Sequence, residues 1–160
     1  MLCLVFYFLI YLYINIQMDY SAYYSETSSH DISIKAGNFQ KMKDYTELLK
    51  HIIGVNNKCL QFRKENNMEP KFNIFVDLEK AGIKNADFDF MKILIPFLEE
   101  GYPNTIIKMY FINIPFIFKT AYSFLRVFIG KETKDKIVFV DKKKNNENKE
   151  LSEDMFEELF

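Results

Sequence analysis

Three short apolar runs, FNIFVDL (Phe72 to Leu78), KMYFIN (Lys108 to Asn113) and IVFV (Ile137 to Val140), are separated by stretches with the spacing of amphipathic helices. Runs of four to seven apolar, β-branched and aromatic residues read as buried strands. Between the first two, Asp87 or Asn85 is placed to cap a helix in which Phe90, Leu94, Phe97 and Leu98 recur at i, i+4, i+7 and i+8. Gly101 and Pro103 end it, and Pro96 inside it removes one backbone hydrogen bond. From Phe116 a second helix carries Phe118, Ala121, Tyr122, Leu125, Phe128 and Ile129 on one stripe and stops at Gly130. Strand, helix, strand, helix, strand with short links is a βαβαβ unit, so the expected class is α/β with parallel strands and right-handed crossovers.

Upstream, Met42, Tyr45, Leu49, Ile52 and Ile53 keep a helical period, giving an amphipathic helix from about Gln40 toward Asn66. The segment from Asp19 to Asn38 is polar, Ser-rich and without a sustained period, so an irregular connector is expected there, with His30 solvated. After Asp141 a charged, Asn-rich link, DKKKNNENKE, leads to LSEDMFEELF, which can form a short acidic helix with Leu151, Met155 and Leu159 on one side. A short polar link, KETKDK, joins the second helix to the third strand.

Met1 to Met18 contains no charged residue. No Lys or Arg precedes Lys35 and no small-residue cleavage triplet follows, which argues against a signal peptide. At ~1.5 Å per residue, 18 residues give roughly 27 Å, short of a ~30 Å hydrocarbon core. Leu12, Ile14, Ile16 and Met18 alternate with polar or aromatic residues, and we favour a strand from about Phe8 to Met18, with residues 1–7 an apolar extension. A membrane anchor formed by residues 1–18 is the alternative.

Composition removes several classes of function. With 21 basic and 22 acidic residues the chain lacks the basic surface that nucleic-acid binding needs. Two cysteines, Cys3 and Cys59, and two histidines, His30 and His51, offer no metal-ligand spacing and no disulfide framework. The dinucleotide, nucleotide and acyl-hydrolase signatures GxGxxG, GxxxxGK[ST] and GxSxG are absent, and no cofactor is expected. An enzyme using Asp77, Glu99 and Glu100 as acid and base is the weakest reading, because carboxylates at a helix end are ordinarily solvated.

In wording, FVDLEKAGI (Phe75 to Ile83), YPNTIIKMYFINIPFIF (Tyr102 to Phe118) and FIGKETKDKIVFV (Phe128 to Val140) resemble the CRAL-TRIO lipid-binding domain family. Asp77 and Gly82, Tyr102 and Pro103, Asn113 and Pro115, and Lys136 and Ile137 fill the positions of that family's motifs. The resemblance implies a cup with a mainly parallel sheet flanked by helices, holding one lipid under a mobile gate helix, here about Ile117 to Ile129. It implies binding, and possible transfer, of a phospholipid such as phosphatidylinositol or another small lipid, without catalysis. The expected apolar gate and pocket residues are Phe118, Tyr122, Phe124, Leu125, Phe128 and Ile129. This helix carries more apolar surface than one buried stripe requires, which fits contact with acyl chains and with a bilayer.

The resemblance also implies a headgroup contact by Thr133 and Lys136, a hydroxyl donor and a cation suited to a phosphodiester. Asn104 stands where the phosphatidylinositol-transfer branch has an acidic residue. Segments that usually precede and close the domain have no counterpart, so residues 8–160 are expected to form a single, incomplete domain. The implied partners are a lipid and a membrane surface, with a peripheral cytoplasmic location. The rival reading is a regulatory or tethering module with a closed pocket, contacting a protein through the acidic tail from Glu150 to Phe160.

Overall fold

A computed structural model describes residues 19–116, 118–141 and 149–151. Among them six strands, β1 (Tyr24–Glu26), β2 (Ile32–Lys35), β3 (Phe72–Asp77), β4 (Ile106–Ile112), β5 (Ile137–Asp141) and β6 (Lys149–Leu151), lie side by side in sequence order. The four central strands are parallel and both edge strands run antiparallel to their neighbours. Helices α1 (Thr46–Glu65), α2 (Phe88–Gly101) and α3 (Phe118–Leu125) make the crossovers, and a four-residue helix α4 (Lys131–Lys134) precedes β5.

Strand order explains where the helices sit. Each crossover from β2 to β5 steps in the same direction across the sheet, and right-handed connections then put every crossover helix on one face. On that face, Ile32, Ile74, Met109 and Ile137 are aligned across the strands, as are Ile34, Val76, Phe111 and Phe139. They form one core with Leu48, Ile52 and Cys59 of α1, Phe90 and Leu94 of α2, and Phe118 and Tyr122 of α3. On the opposite face Phe75 stacks on Tyr110 at 5.2 Å, beside buried Val138. The expected α/β class and its parallel βαβαβ centre are therefore observed, with one more βα unit in front.

That extra unit corrects the reading of residues 19–38 as an irregular connector. They form the β1–β2 hairpin, and Ile32 and Tyr24 are buried. Strands of three and four residues are too short to display a period, and their pairing comes from the neighbouring β3. The Tyr24 hydroxyl donates to Asn56 Oδ1 at 2.7 Å, while Arg63 reaches from the end of α1 to Asp31 at 2.8 Å and to the His30 carbonyl at 3.2 Å. His30 is not simply solvated: its ring stacks on Phe62 at 3.4 Å between centroids and its Nδ1 contacts Glu26.

Helix α1 begins at Thr46, later than Gln40. Asp44 Oδ1 accepts from the Thr46 amide at 2.9 Å, and Met42 and Tyr45 pack against the core ahead of the helix. The KETKDK link contains α4. Leu151 ends β6 and does not start a helix. The expected strand at 8–18, and the remainder of the acidic tail at 152–160, lie outside the described residues.

Candidate functional site

The carboxyl ends of β3 and β4 are knotted together by side chains the motifs supply. Asp77 Oδ1 accepts from the Glu79 amide at 2.9 Å and from Asn113 Nδ2 at 2.7 Å. Asn113 sits at φ +56°, a left-handed conformation that Asn tolerates well. Downstream, Asn85 Oδ1 accepts from the Gly82 amide at 3.1 Å, and Asn85 Nδ2 donates to the carbonyls of Gly37 and Phe39 at 3.0 Å each. A Cβ at Gly37 would collide with the Glu79 carbonyl, so glycine permits this close approach. Asp87 then caps α2, accepting from the amides of Asp89 and Phe90 at 3.1 Å and from the Tyr45 hydroxyl at 2.5 Å. The Tyr45 hydrogen bond, foremost, holds the Asp87 carboxyl below its ordinary range.

This frame leaves an apolar groove of about 270 Å³ between the β3–α2 turn and α3, with Leu78, Ile83, Phe88, Met91, Phe118 and Phe124 in its wall. The gate segment, α3 with the 3-10 turn Arg126–Phe128, is apolar on two sides. Inward, Phe118 lies 5.2 Å from Phe111, and Tyr122 meets Phe139 edge-on at 5.4 Å. Outward, Phe124 is 62% and Val127 71% exposed; Ile83 and Phe116 are exposed nearby, at 73% and 88%.

The six apolar gate residues divide by position. Phe118, Phe124 and Leu125 line the groove. Tyr122 packs on the sheet, Ile129 packs against the core, and Phe128 lies under the Lys92 ammonium at 5.9 Å. Ile117 lies outside the described residues. Ile83, Phe88 and Met91 join the groove without a signal of their own in the sequence, because they come from a turn and the start of another helix; the capping pattern at Asp87 is the one local clue to their placement.

Thr133 and Lys136 do not reach this groove. They line a separate cleft of about 240 Å³ at the amino ends of the strands, together with Tyr102, Pro103 and Asn104. The length of β4 separates groove and cleft, about 20 Å at ~3.3 Å per residue. Lys136 Nζ pairs with Glu132 Oε1 at 2.7 Å, and Glu99 Oε1 accepts from the Gly130 amide at 2.9 Å. Asp77 and Glu99 are thus engaged in hydrogen bonds that join separate elements, and Glu100 is exposed on α2. No group of His, Cys, Asp and Glu among the described residues could hold a metal ion.

The CRAL/TRIO domain profile matches residues 18–159. The chain belongs to the CRAL/TRIO domain family, a family of lipid-binding domains. Phosphatidylinositol transfer protein SFH5 of Candida glabrata is 27% identical over 103 residues, covering 62% of this chain and 35% of that protein. In three dimensions the domain is similar to the crystal structure of Sfh5, with a TM-score of 0.61, 18% identity, and coverage of 73% of this chain and 47% of that one. That likeness concerns the fold. The chain thus spans between about a third and a half of the length of these relatives. Among its described residues no helix is long and apolar enough to cross a membrane.

Proposed function

We propose that this domain binds a phospholipid by its acyl chains and exchanges it with membranes, acting as a binding module without catalysis. The observation that carries the reading is the apolar groove beside a helix with apolar residues on both sides. Burial of acyl chain supplies affinity at about 0.8 kcal/mol per CH₂. A groove of about 270 Å³ accommodates part of a lipid, so uptake of a whole one requires α3 to swing away from β4 and β5. Phe124 and Val127 then meet the bilayer, and the domain works as a peripheral protein at cytoplasmic membrane surfaces. Thr133 and Lys136 face the headgroup in the cleft at the other end of β4. Phosphatidylinositol, the lipid in the name of the Candida glabrata relative, is the lipid against which uptake of others is compared.

Native mass spectrometry of the purified chain, with extraction of whatever lipid co-purifies or is taken up from mixed phospholipid vesicles, tests this. A stoichiometric phospholipid is expected. A folded protein that takes up none overturns the reading. It would favour the tethering alternative, which draws on the filling of the space above β4 and β5 by Phe118 and Tyr122.

A further inference from the structure

The cleft that holds Thr133 and Lys136 contains two carboxylates as well as two lysines. Glu99 comes from the end of α2, Glu132 from α4, Lys131 from α4, and Lys136 from the residue before β5. Formal charge in the cleft is balanced. Moreover, two of its donors suited to a phosphate are already engaged, the Gly130 amide by Glu99 at 2.9 Å and the Lys136 ammonium by Glu132 at 2.7 Å. A Cβ on Gly130 would stand 3.2 Å from both Glu99 oxygens, so this carboxylate is seated on the glycine.

We infer that Glu99 and Glu132 are specificity-determining residues, which make the cleft accept a phospholipid headgroup bearing a cationic arm and disfavour one whose arm is uncharged or acidic. The inference rests on the lipid-binding reading above. A phosphate entering the cleft takes the Lys136 ammonium, whose side chain is 25% exposed, and displaces Glu132 from it. The two carboxylates remain within the cleft. An ammonium a few ångströms beyond the phosphate meets them and restores the balance, whereas an uncharged or acidic arm leaves Glu132 without its lysine and both carboxylates repelled by the phosphate. Partly solvated pairs of this kind change an equilibrium by about two- to fivefold each, so two of them give about tenfold.

The test uses the full chain and vesicles of equal parts phosphatidylethanolamine and phosphatidylglycerol with identical acyl chains, and measures the ratio of the two lipids retained by re-isolated protein. The chain is expected to retain phosphatidylethanolamine in excess, and Glu99→Gln/Glu132→Gln is expected to move the ratio about tenfold toward phosphatidylglycerol. Glu79→Gln/Glu100→Gln removes the same charge from exposed positions outside the cleft and is expected to leave the ratio unchanged. A preference for phosphatidylglycerol in the unmodified chain, no change in the cleft variant, or an equal change in the control variant overturns the inference while lipid binding stands. Retention of neither lipid overturns both.

Discussion

Asn113 Nδ2 donates to Asp77 Oδ1 at 2.7 Å, joining the carboxyl end of β4 to that of β3 just where the chain leaves the sheet for the gate. Asn113→Gly keeps the left-handed backbone and loses this bond; Asn113→Ala loses both. We expect losses of about 1 kcal/mol for the glycine variant and about 2 kcal/mol for the alanine variant, read from urea unfolding. Equal losses would show that the φ of +56° carries no cost.

Arg63 and Asp31 form a buried ion pair, 8% and 7% exposed, that clamps the β1–β2 hairpin to the end of α1. Asp31 Oδ1 also accepts from the Asn73 amide at 2.8 Å, so the pair reaches β3. Removal of one partner leaves a buried charge, and Arg63→Ala is expected to cost about 3 to 5 kcal/mol in unfolding free energy. Loss below about 1 kcal/mol, the scale of a solvated pair, would mean that the hairpin is held by Tyr24 and Ile32 alone.

Asp87 gives a pH dependence with a definite sign. Its carboxyl is held below the ordinary value of 3.8, chiefly by the Tyr45 hydroxyl and also by the capped amides and Lys41. A depressed folded pKa means stability that is full above the unfolded value and lost as pH falls through the folded one. Asp87→Asn is therefore expected to be less stable by about 1 kcal/mol at pH 7, with the difference shrinking from below about pH 4. Urea midpoints at both ends of that range check it; a gap that widens in acid would contradict it.

Cys59 is fully buried, and desolvation pushes its thiol up to about 12. It is expected to resist a thiol reagent at about pH 8 in the folded protein and to react once the chain is unfolded in urea. Peptide mapping separates it from Cys3.

How much of this is legible in the sequence follows element size. FNIFVDL, KMYFIN and IVFV are long enough for their apolar density to speak, and Asp87, Gly101 and Gly130 punctuate the helices between them. The YSE and ISIK strands are too short to differ from a Ser-rich loop, and exist because β3 offers an edge and Asn56 a partner for Tyr24. At the groove, Phe118, Phe124 and Leu125 are readable as surplus apolar surface on one helix. Ile83 is not, since a turn residue has no period and its place is set by the bonds of Asn85 to Gly37 and Phe39. Thr133 and Lys136 come from family wording. Their neighbour Glu99 lies more than thirty residues away from Gly130 in sequence, so only folding brings the two together.

Exposed apolar residues on the gate separate membrane contact from stability. Phe124→Asp/Val127→Asp changes residues that are 62% and 71% exposed, so urea stability should stay within about 0.5 kcal/mol per site while association with phospholipid vesicles falls. Phe118→Ala, in the buried row, should instead cost about 3 kcal/mol. A Phe124→Asp/Val127→Asp protein that binds and exchanges lipid normally would remove the gate from the bilayer contact.

The most direct measurement is photocrosslinking with a phospholipid that carries a diazirine near the end of one acyl chain, followed by peptide mapping. Label is expected on the groove, at Met91, Phe118 and Phe124 and the adjoining turn from Leu78 to Phe88. Label confined to other surfaces, or none on a folded protein exposed to excess probe, would contradict lipid binding in this groove.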